Sequence, residues 1–191
     1  MSQSVLFTER LRLRPRTLAD LDACVALDLD PEVHRFIFGD RPPDPEEHRA
    51  RLRARIASGW PAKGGVWVVE WRHAPGFLGW CGLFPLEDAG PIEMGYRYVR
   101  GVWGRGIATE AGRAVLDHGF RALGFDPLVG VTHPANVASQ RVLEKIGLKP
   151  RGAGFHYGQA VSFCELSRDA YLAEASCALE ASNRTNEEDR R

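Results

Sequence analysis

One stretch constrains this chain more than any other. It runs Ile92-Glu93-Met94-Gly95-Tyr96-Arg97-Tyr98-Val99 and continues Arg100-Gly101-Val102-Trp103-Gly104-Arg105-Gly106-Ile107-Ala108-Thr109-Glu110-Ala111. The first part alternates with the period of a strand. Ile92, Met94, Tyr96 and Tyr98 fall on one face, and Glu93, Gly95 and Arg97 on the other. After a glycine-rich turn, Ile107, Ala111, Ala114 and Val115 recur as one buried helical stripe. A strand that feeds a glycine turn and a helix start is an anion site in waiting. Several N–H groups there lack partners, and the helix dipole adds about half a positive charge. Gly104 and Gly106 carry no side chain to hold a phosphate away. A purely structural turn uses the same short glycine pattern, so the rest of the chain has to decide.

The chain has 191 residues, 44% of them hydrophobic and 26% charged, which suits one globular domain with a sizeable core. That domain is expected over residues 1–180, with a polar, frayed tail at 181–191. Formal net charge is zero, so nothing points to nucleic acid or to an acidic membrane surface as partner. No apolar run approaches the ~20 residues of a membrane span. The first ten residues lack the apolar centre of a signal peptide, and a cytoplasmic protein is expected. Cys24, Cys81, Cys164 and Cys177 are far apart and lack metal-ligand spacing. They read as buried thiols, and no metal is expected.

Taken in order, Leu11 to Pro15 alternates as a short first strand. Thr17 with Asp20 makes an acidic capping box for a helix carrying Leu18, Leu21 and Val25. Pro31 opens a second short helix that stops at Gly39. From Asp44 to Ser58 runs an arginine-rich helix, read as a solvated face or else as one with some arginines bordering a substrate mouth. Strands follow at Val66–Trp71, Phe77–Phe84 and Ile92–Val99, then a helix from about Gly104 to Leu123. Leu128 to Val131 is a short apolar run of the kind found in buried central strands. A helix carrying Ala138, Val142, Leu143 and Ile146 ends at Gly147. Two strands, Lys149–Tyr157 and Val161–Leu166, turn at Gly158, and a terminal helix runs from Ser167 to about Ala178. Trp60, Trp67, Trp71, Trp80, Phe84 and Tyr157 are mostly core, with one or two walling a pocket. The fold class is α+β, a mixed α/β single domain. A dinucleotide fingerprint would open a βαβ unit and end in a third glycine, where Thr109 stands. A triphosphate loop would need Gly-Lys-Ser/Thr, which is missing.

These motifs, in this order, resemble the GCN5-related N-acetyltransferase family, and within it the ribosomal-protein alanine acetyltransferase-like branch. Trp103-Gly104-Arg105-Gly106-Ile107-Ala108 looks like the family's acyl-CoA loop, with Trp103 in the place of its first Gln or Arg. Leu11 to Pro15, Glu93-Met94-Gly95-Tyr96, Asn136-Val137-Ala138-Ser139 and Glu144-Lys145-Ile146-Gly147-Leu148 look like further signatures of the branch, and the likeness covers about residues 8–172. It implies a mostly antiparallel sheet of six or seven strands, splayed after the fourth. It also implies acetyl-CoA as co-substrate, with its pyrophosphate on the N–H groups of Gly104 to Thr109. The pantetheine arm would add to Tyr96-Arg97-Tyr98 as a pseudo-strand. Arg105 either reaches a phosphate or lies solvated. Asn136 would contact the CoA arm, and as an asparagine before a helix it also reads as a cap-region residue, two roles that can hold together.

The chemistry implied is attack of a neutral amine on a thioester. The amine has to lose a proton, and the departing thiolate gains one. Asn136 and Ser139 share a helix face, and Ser139 is the candidate acid. Many family members use a tyrosine one turn later, where Leu143 stands here. Glu93 is the candidate base, or else a strand-surface carboxylate paired with an arginine. Glu165 is a weaker candidate base, ordered waters are another route, and His133 and His156 read as structural. The function expected is direct acetyl transfer to an amine acceptor through a ternary complex. The alternative is an acyl-CoA-binding sensor domain without turnover. The acceptor is open between a protein N-terminus and a small amine. Oligomeric state is open too, homodimers being common in the branch.

Overall fold

The computed structural model describes residues 3–38, 42–59, 64–174 and 176. Gly39, Trp60, Cys177 and the expected tail at 181–191 lie outside the described residues. One sheet runs through the molecule. Its strands are β1 (Leu6–Phe7), β2 (Leu11–Pro15), β3 (Gly65–Trp71), β4 (Gly79–Pro85), β5 (Ile92–Tyr98), β6 (Leu128–Thr132), β7 (Lys149–His156) and β8 (Gln159–Leu166). The eight strands lie in the order β1-β2-β3-β4-β5-β6-β8-β7. The sequence implied six or seven. The extra strand is β1, whose two residues are too few to show an alternating pattern. Every neighbouring pair is antiparallel except β5 and β6.

The helices are α1 (Leu21–Leu29), α2 (Pro31–His34), α3 (Pro45–Ser58), α4 (Ile107–His118) and α5 (Val137–Lys145), with residues 168–174 also helical. They divide between the two faces of the sheet because β5 alternates. Met94 and Tyr98 join Ile107, Ala111, Val115 and Leu116 of α4 in the main core. Full burial of side chains such as Ile107 and Leu116 contributes about 1.5–3 kcal/mol each. Gly112 lets α4 lie close, since a Cβ there would stand 2.8 Å from Met94 Cε and 3.2 Å from Ile146 Cδ1. On the other face, Leu21, Cys24, Val25 and Leu27 of α1 and Leu52 of α3 pack with Val66 and Trp80 in a second core. The arginines of α3 lie on its exposed side, as its charge pattern implied.

Three local expectations shift. The long helix begins at Ile107 rather than Gly104, because Gly104 and Gly106 have left-handed φ of +72° and +77°. Its last turn, Gly119–Leu123, widens to a π-helix. Ala138, placed in the apolar stripe of α5 by its spacing, is exposed, while Leu143 and Ile146 are buried.

Between β5 and β6 the sheet opens. Their pairing is confined to Ile92 with Leu128 and Glu93 with Val129. β5 continues against β4 as far as Tyr98, and β6 continues against β8 as far as Thr132. From Met94 onward the two strands diverge, and among the described residues one edge of β5 has no strand partner.

Candidate active site

The glycine turn follows β5 directly. A short 3-10 turn, Arg100–Val102, leads into it, and Gly106 serves as the N-cap of α4. A Cβ on Gly104 would meet nothing within 4 Å, and one on Gly106 only Arg10 Nη2 at 3.5 Å. The glycines are therefore needed for their left-handed backbone, and the space beside them is open. The first intrahelical bond runs from Glu110 N–H to Gly106 O at 3.0 Å, and no side chain caps the turn before it. This is the arrangement that accepts a phosphate. Glu110 carries a negative charge into that turn but is held by Thr8 Oγ1 (2.5 Å) and Arg10 Nε (2.6 Å). Arg105 lies back over Trp71, with its guanidinium carbon 5.0 Å from the ring centre. Trp103 donates from Nε1 to Tyr98 O at 2.7 Å and so ties the loop to the end of β5.

On the face of β5 that meets α4 and α5, Tyr96 reaches helix α5. Its hydroxyl stands 2.8 Å from Ser139 Oγ and donates to Ser139 O at 3.1 Å. Ser139 is positioned by Asn136, the N-cap of α5, whose Oδ1 accepts Ser139 N–H at 3.1 Å. Such a cap stabilises a helix by about 1 kcal/mol. Burial raises the Tyr96 pKa, so its phenol stays protonated. The residues picked from the sequence on this side thus come together. Left unread was that the Tyr96 side chain joins them.

Glu93 lies on the opposite face and is 6% exposed. Tyr157 Oη donates to its Oε2 at 2.5 Å. Burial pushes this carboxyl up to about 7, against the pull of the Tyr157 hydrogen bond and of Arg97. Arg97 shares that face but pairs with Asp28 at 2.6 Å. Asp28 also meets His48 Nε2 at 2.9 Å. The Arg97 guanidinium lies 5.3 Å from the Trp80 ring centre and 5.5 Å from that of Phe38. Glu93 is therefore not a surface carboxylate bonded to an arginine.

Tyr157 is one of the aromatic residues that wall a pocket: it sits half exposed at the tip of the β7–β8 hairpin and lines a cavity there. Glu165, the weaker candidate base, faces Arg151 at 3.3 Å. His133 Nδ1 accepts Ala135 N–H at 3.1 Å, a local structural bond. Cys24, Cys81 and Cys164 are buried and unbridged. Burial raises the Cys24 thiol to about 11 and that of Cys81 to about 12, so neither is a thiolate at neutral pH.

A cavity of about 490 Å³ opens beside Glu93's partner, lined by Ile37, Phe38, Pro43, Arg51, Tyr157 and Gly158 among others. A groove of about 720 Å³ follows the outer side of α4 from Gly106, past Thr109 and Arg113, to Lys145.

Residues 10–149 match the acetyltransferase (GNAT) domain family. The chain is 32% identical over 165 residues to the uncharacterized protein YkkB of Bacillus subtilis, covering 84% of this chain and 90% of that protein. It is 31% identical to the uncharacterized N-acetyltransferase YoaA of the same organism, covering 78% and 84% respectively. Its fold matches that of RimL, a ribosomal L7/L12 α-N-protein acetyltransferase solved in complex with coenzyme A. That match has a TM-score of 0.69 at 17% identity and covers 87% of this chain and 99% of the other. An open sheet edge beside an uncapped helix start, on a chain with these relatives, identifies an enzyme: this protein belongs to the GNAT family and is an acetyltransferase.

Proposed function

We propose that the chain transfers an acetyl group from acetyl-CoA directly to a primary amine, both being held in one ternary complex. The observation that carries this reading is the placement of two kinds of proton-handling group on opposite faces of β5, beside the open edge. Glu93 lies on one face with its carboxyl near 7, and the Tyr96–Ser139 hydroxyl pair lies on the other. A carboxyl of that pKa is a competent base at neutral pH. The coenzyme supplies an acetyl group activated as a thioester.

The turn around Gly104 and Gly106 holds the pyrophosphate on the uncapped start of α4. The edge of β5 that β6 leaves uncovered beyond Glu93 bonds the pantetheine arm at Tyr96 in the manner of an added strand, as far as Tyr98, whose carbonyl is held by Trp103. Asn136 and Ser139 border that arm from α5. Glu93 first takes one proton from the ammonium, and the freed nitrogen lone pair then attacks the acetyl carbon. As the carbon–sulfur bond breaks, the Ser139 hydroxyl, backed by Tyr96, gives a proton to the sulfur, and the second N–H proton of the tetrahedral intermediate returns through solvent to restore that hydroxyl. The buried, protonated thiols of Cys24 and Cys81 favour direct transfer over an acyl-enzyme. The RimL complex supports coenzyme A as the donor's carrier, and the acceptor is a protein N-terminus or a small amine entering by the 490 Å³ cavity.

The test is a screen for free thiol released from acetyl-CoA, run against small amines and N-terminal peptides. Amine-dependent release together with an acetylated product is the expected result. Tight acetyl-CoA binding without release for any amine would instead make the chain a sensor of the coenzyme.

A further inference from the structure

Among the described residues, two that are not glycine have a left-handed backbone, Glu87 at φ +49° and Tyr157 at φ +54°. They are bonded to each other across the molecule. Glu87 follows β4, and its Oε1 accepts Tyr157 N–H at 2.6 Å. Its Oε2 meets His156 Nδ1 at 3.0 Å. Such a backbone is strained, and it persists only where the surroundings impose it. Here both strained residues belong to one clamp, which grips the tip of the β7–β8 hairpin.

The clamp fixes where the Tyr157 side chain goes. Its hydroxyl donates to Glu93 Oε2 at 2.5 Å, while the residue is 50% exposed and lines the 490 Å³ cavity. Glu93 is 6% exposed and is not part of the cavity wall. Tyr157 therefore links the cavity it lines to the buried carboxylate that its hydroxyl bonds.

We propose that Tyr157, held in place by Glu87, relays the proton of the entering ammonium to Glu93. The inference rests on the acetyl-transfer reading above. The ammonium N–H bond breaks and its proton bonds to Tyr157 Oη. The proton that Oη carried passes to Glu93 Oε2. The amine is left neutral, the tyrosine is neutral before and after, and the carboxylate becomes a carboxylic acid. A neutral phenol suits such a relay, since burial and the nearby Glu93 charge both raise the Tyr157 pKa and keep it protonated. The groups facing Glu93 are Tyr157, His156 and Glu87 from the hairpin and its clamp, and Arg97 from β5 itself. Arg97 is already engaged by Asp28.

The experiment compares the full chain with Tyr157→Phe and Glu87→Ala. It uses an amine the parent acetylates, across pH 5.5 to 9, with isothermal titration of acetyl-CoA as the check on folding. Carbon-13 NMR of the Glu93 carboxyl follows its titration in the same proteins. Tyr157→Phe is expected to lower kcat/KM for the amine at least tenfold and by the order of 100-fold. The Kd for acetyl-CoA should stay within about twofold, and the Glu93 titration should move upward as its donor is lost. Glu87→Ala should move both readouts the same way by less. A fall in kcat/KM below tenfold for Tyr157→Phe, or an unmoved Glu93 titration, overturns the relay. A parent that acetylates no amine overturns the acetyl-transfer reading and the relay with it. The NMR titration still reports separately whether Tyr157 bonds Glu93.

Discussion

The hydroxyls of Tyr96 and Ser139 stand 2.8 Å apart, one carried on β5 and the other on α5. Either oxygen can be the donor, so the two act as one proton-donating unit toward the open sheet edge. Removing one member leaves the other without its partner. Ser139→Ala and Tyr96→Phe are each expected to lower kcat by about 10- to 100-fold. The double variant should fall little further, because residues that act as a unit are not additive. Steady-state rates at saturating acetyl-CoA decide this. Multiplying losses would mean that the two hydroxyls serve separate steps.

Glu93 links activity to pH. Its carboxyl is raised from 4.5 to about 7, with burial as the first cause. As a base it works only when ionised, so kcat/KM should rise with pH and reach half of its plateau near 7. Stability runs the other way. A carboxyl with a raised folded pKa favours the fold below about pH 4.5, and that contribution is lost as pH climbs through about 7. Between pH 5 and 8 the parent should lose stability relative to Glu93→Gln, by the order of 1–3 kcal/mol. Urea melts at the two pH values measure it. An equal dependence in both proteins would mean that Glu93 titrates as an ordinary exposed carboxylate.

The glycine turn makes a prediction about binding. Gly104 and Gly106 have φ of +72° and +77°, whereas a Cβ at Gly101 would meet nothing within 4 Å and its φ is not left-handed. Alanine at Gly104 or Gly106 costs about 1–2 kcal/mol in backbone strain and places a methyl where the phosphate would lie. Both variants should weaken acetyl-CoA at least about tenfold by isothermal titration. Gly101→Ala should bind like the parent. Equal binding by all three would remove the loop from the coenzyme site.

Asp28 is the anchor between the helical layer and β5. Its carboxylate meets Arg97 at 2.6 Å and His48 at 2.9 Å, with side-chain exposures of 4% for Asp28 and 19% for Arg97. Removing it leaves a largely buried guanidinium between Trp80 and Phe38 without a counter-charge. Breaking such a pair costs about 3–5 kcal/mol. Asp28→Ala should lose about that much in urea denaturation. Asp28→Ala with Arg97→Met should lose less than Asp28→Ala alone. A single variant with parental stability would show that the pair carries no stabilising weight.

How much of this was legible beforehand depended on the range of the signal. The alternation of β5, the glycine turn and the Asn136–Ser139 spacing are local signals, and each has its counterpart in the fold: a strand, a left-handed glycine at the start of α4 and the N-cap of α5. Nothing local says that Tyr157 reaches Glu93, since the two are 64 residues apart. Alternation alone put Arg97 beside Glu93, and only tertiary packing shows that Asp28 claims the guanidinium instead. The turn at Gly158 was legible from its glycine, but which of the six aromatic residues walls a pocket was not, because that depends on how the hairpin tip meets Ile37 and Phe38. Ala138 misled because a helical stripe describes one face and cannot say how far that face stays covered.

The most direct measurement is the rate of amine acetylation from acetyl-CoA by the parent and by Glu93→Gln, with product mass and free thiol recorded together from pH 6 to 9. The expected result is one thiol released per acetylated amine in the parent, rising through about pH 7. Glu93→Gln should lie at least 100-fold lower, with no inflection there. A Glu93→Gln protein that matched the parent in rate and pH profile would contradict the assignment of Glu93 as the base on which the mechanism rests.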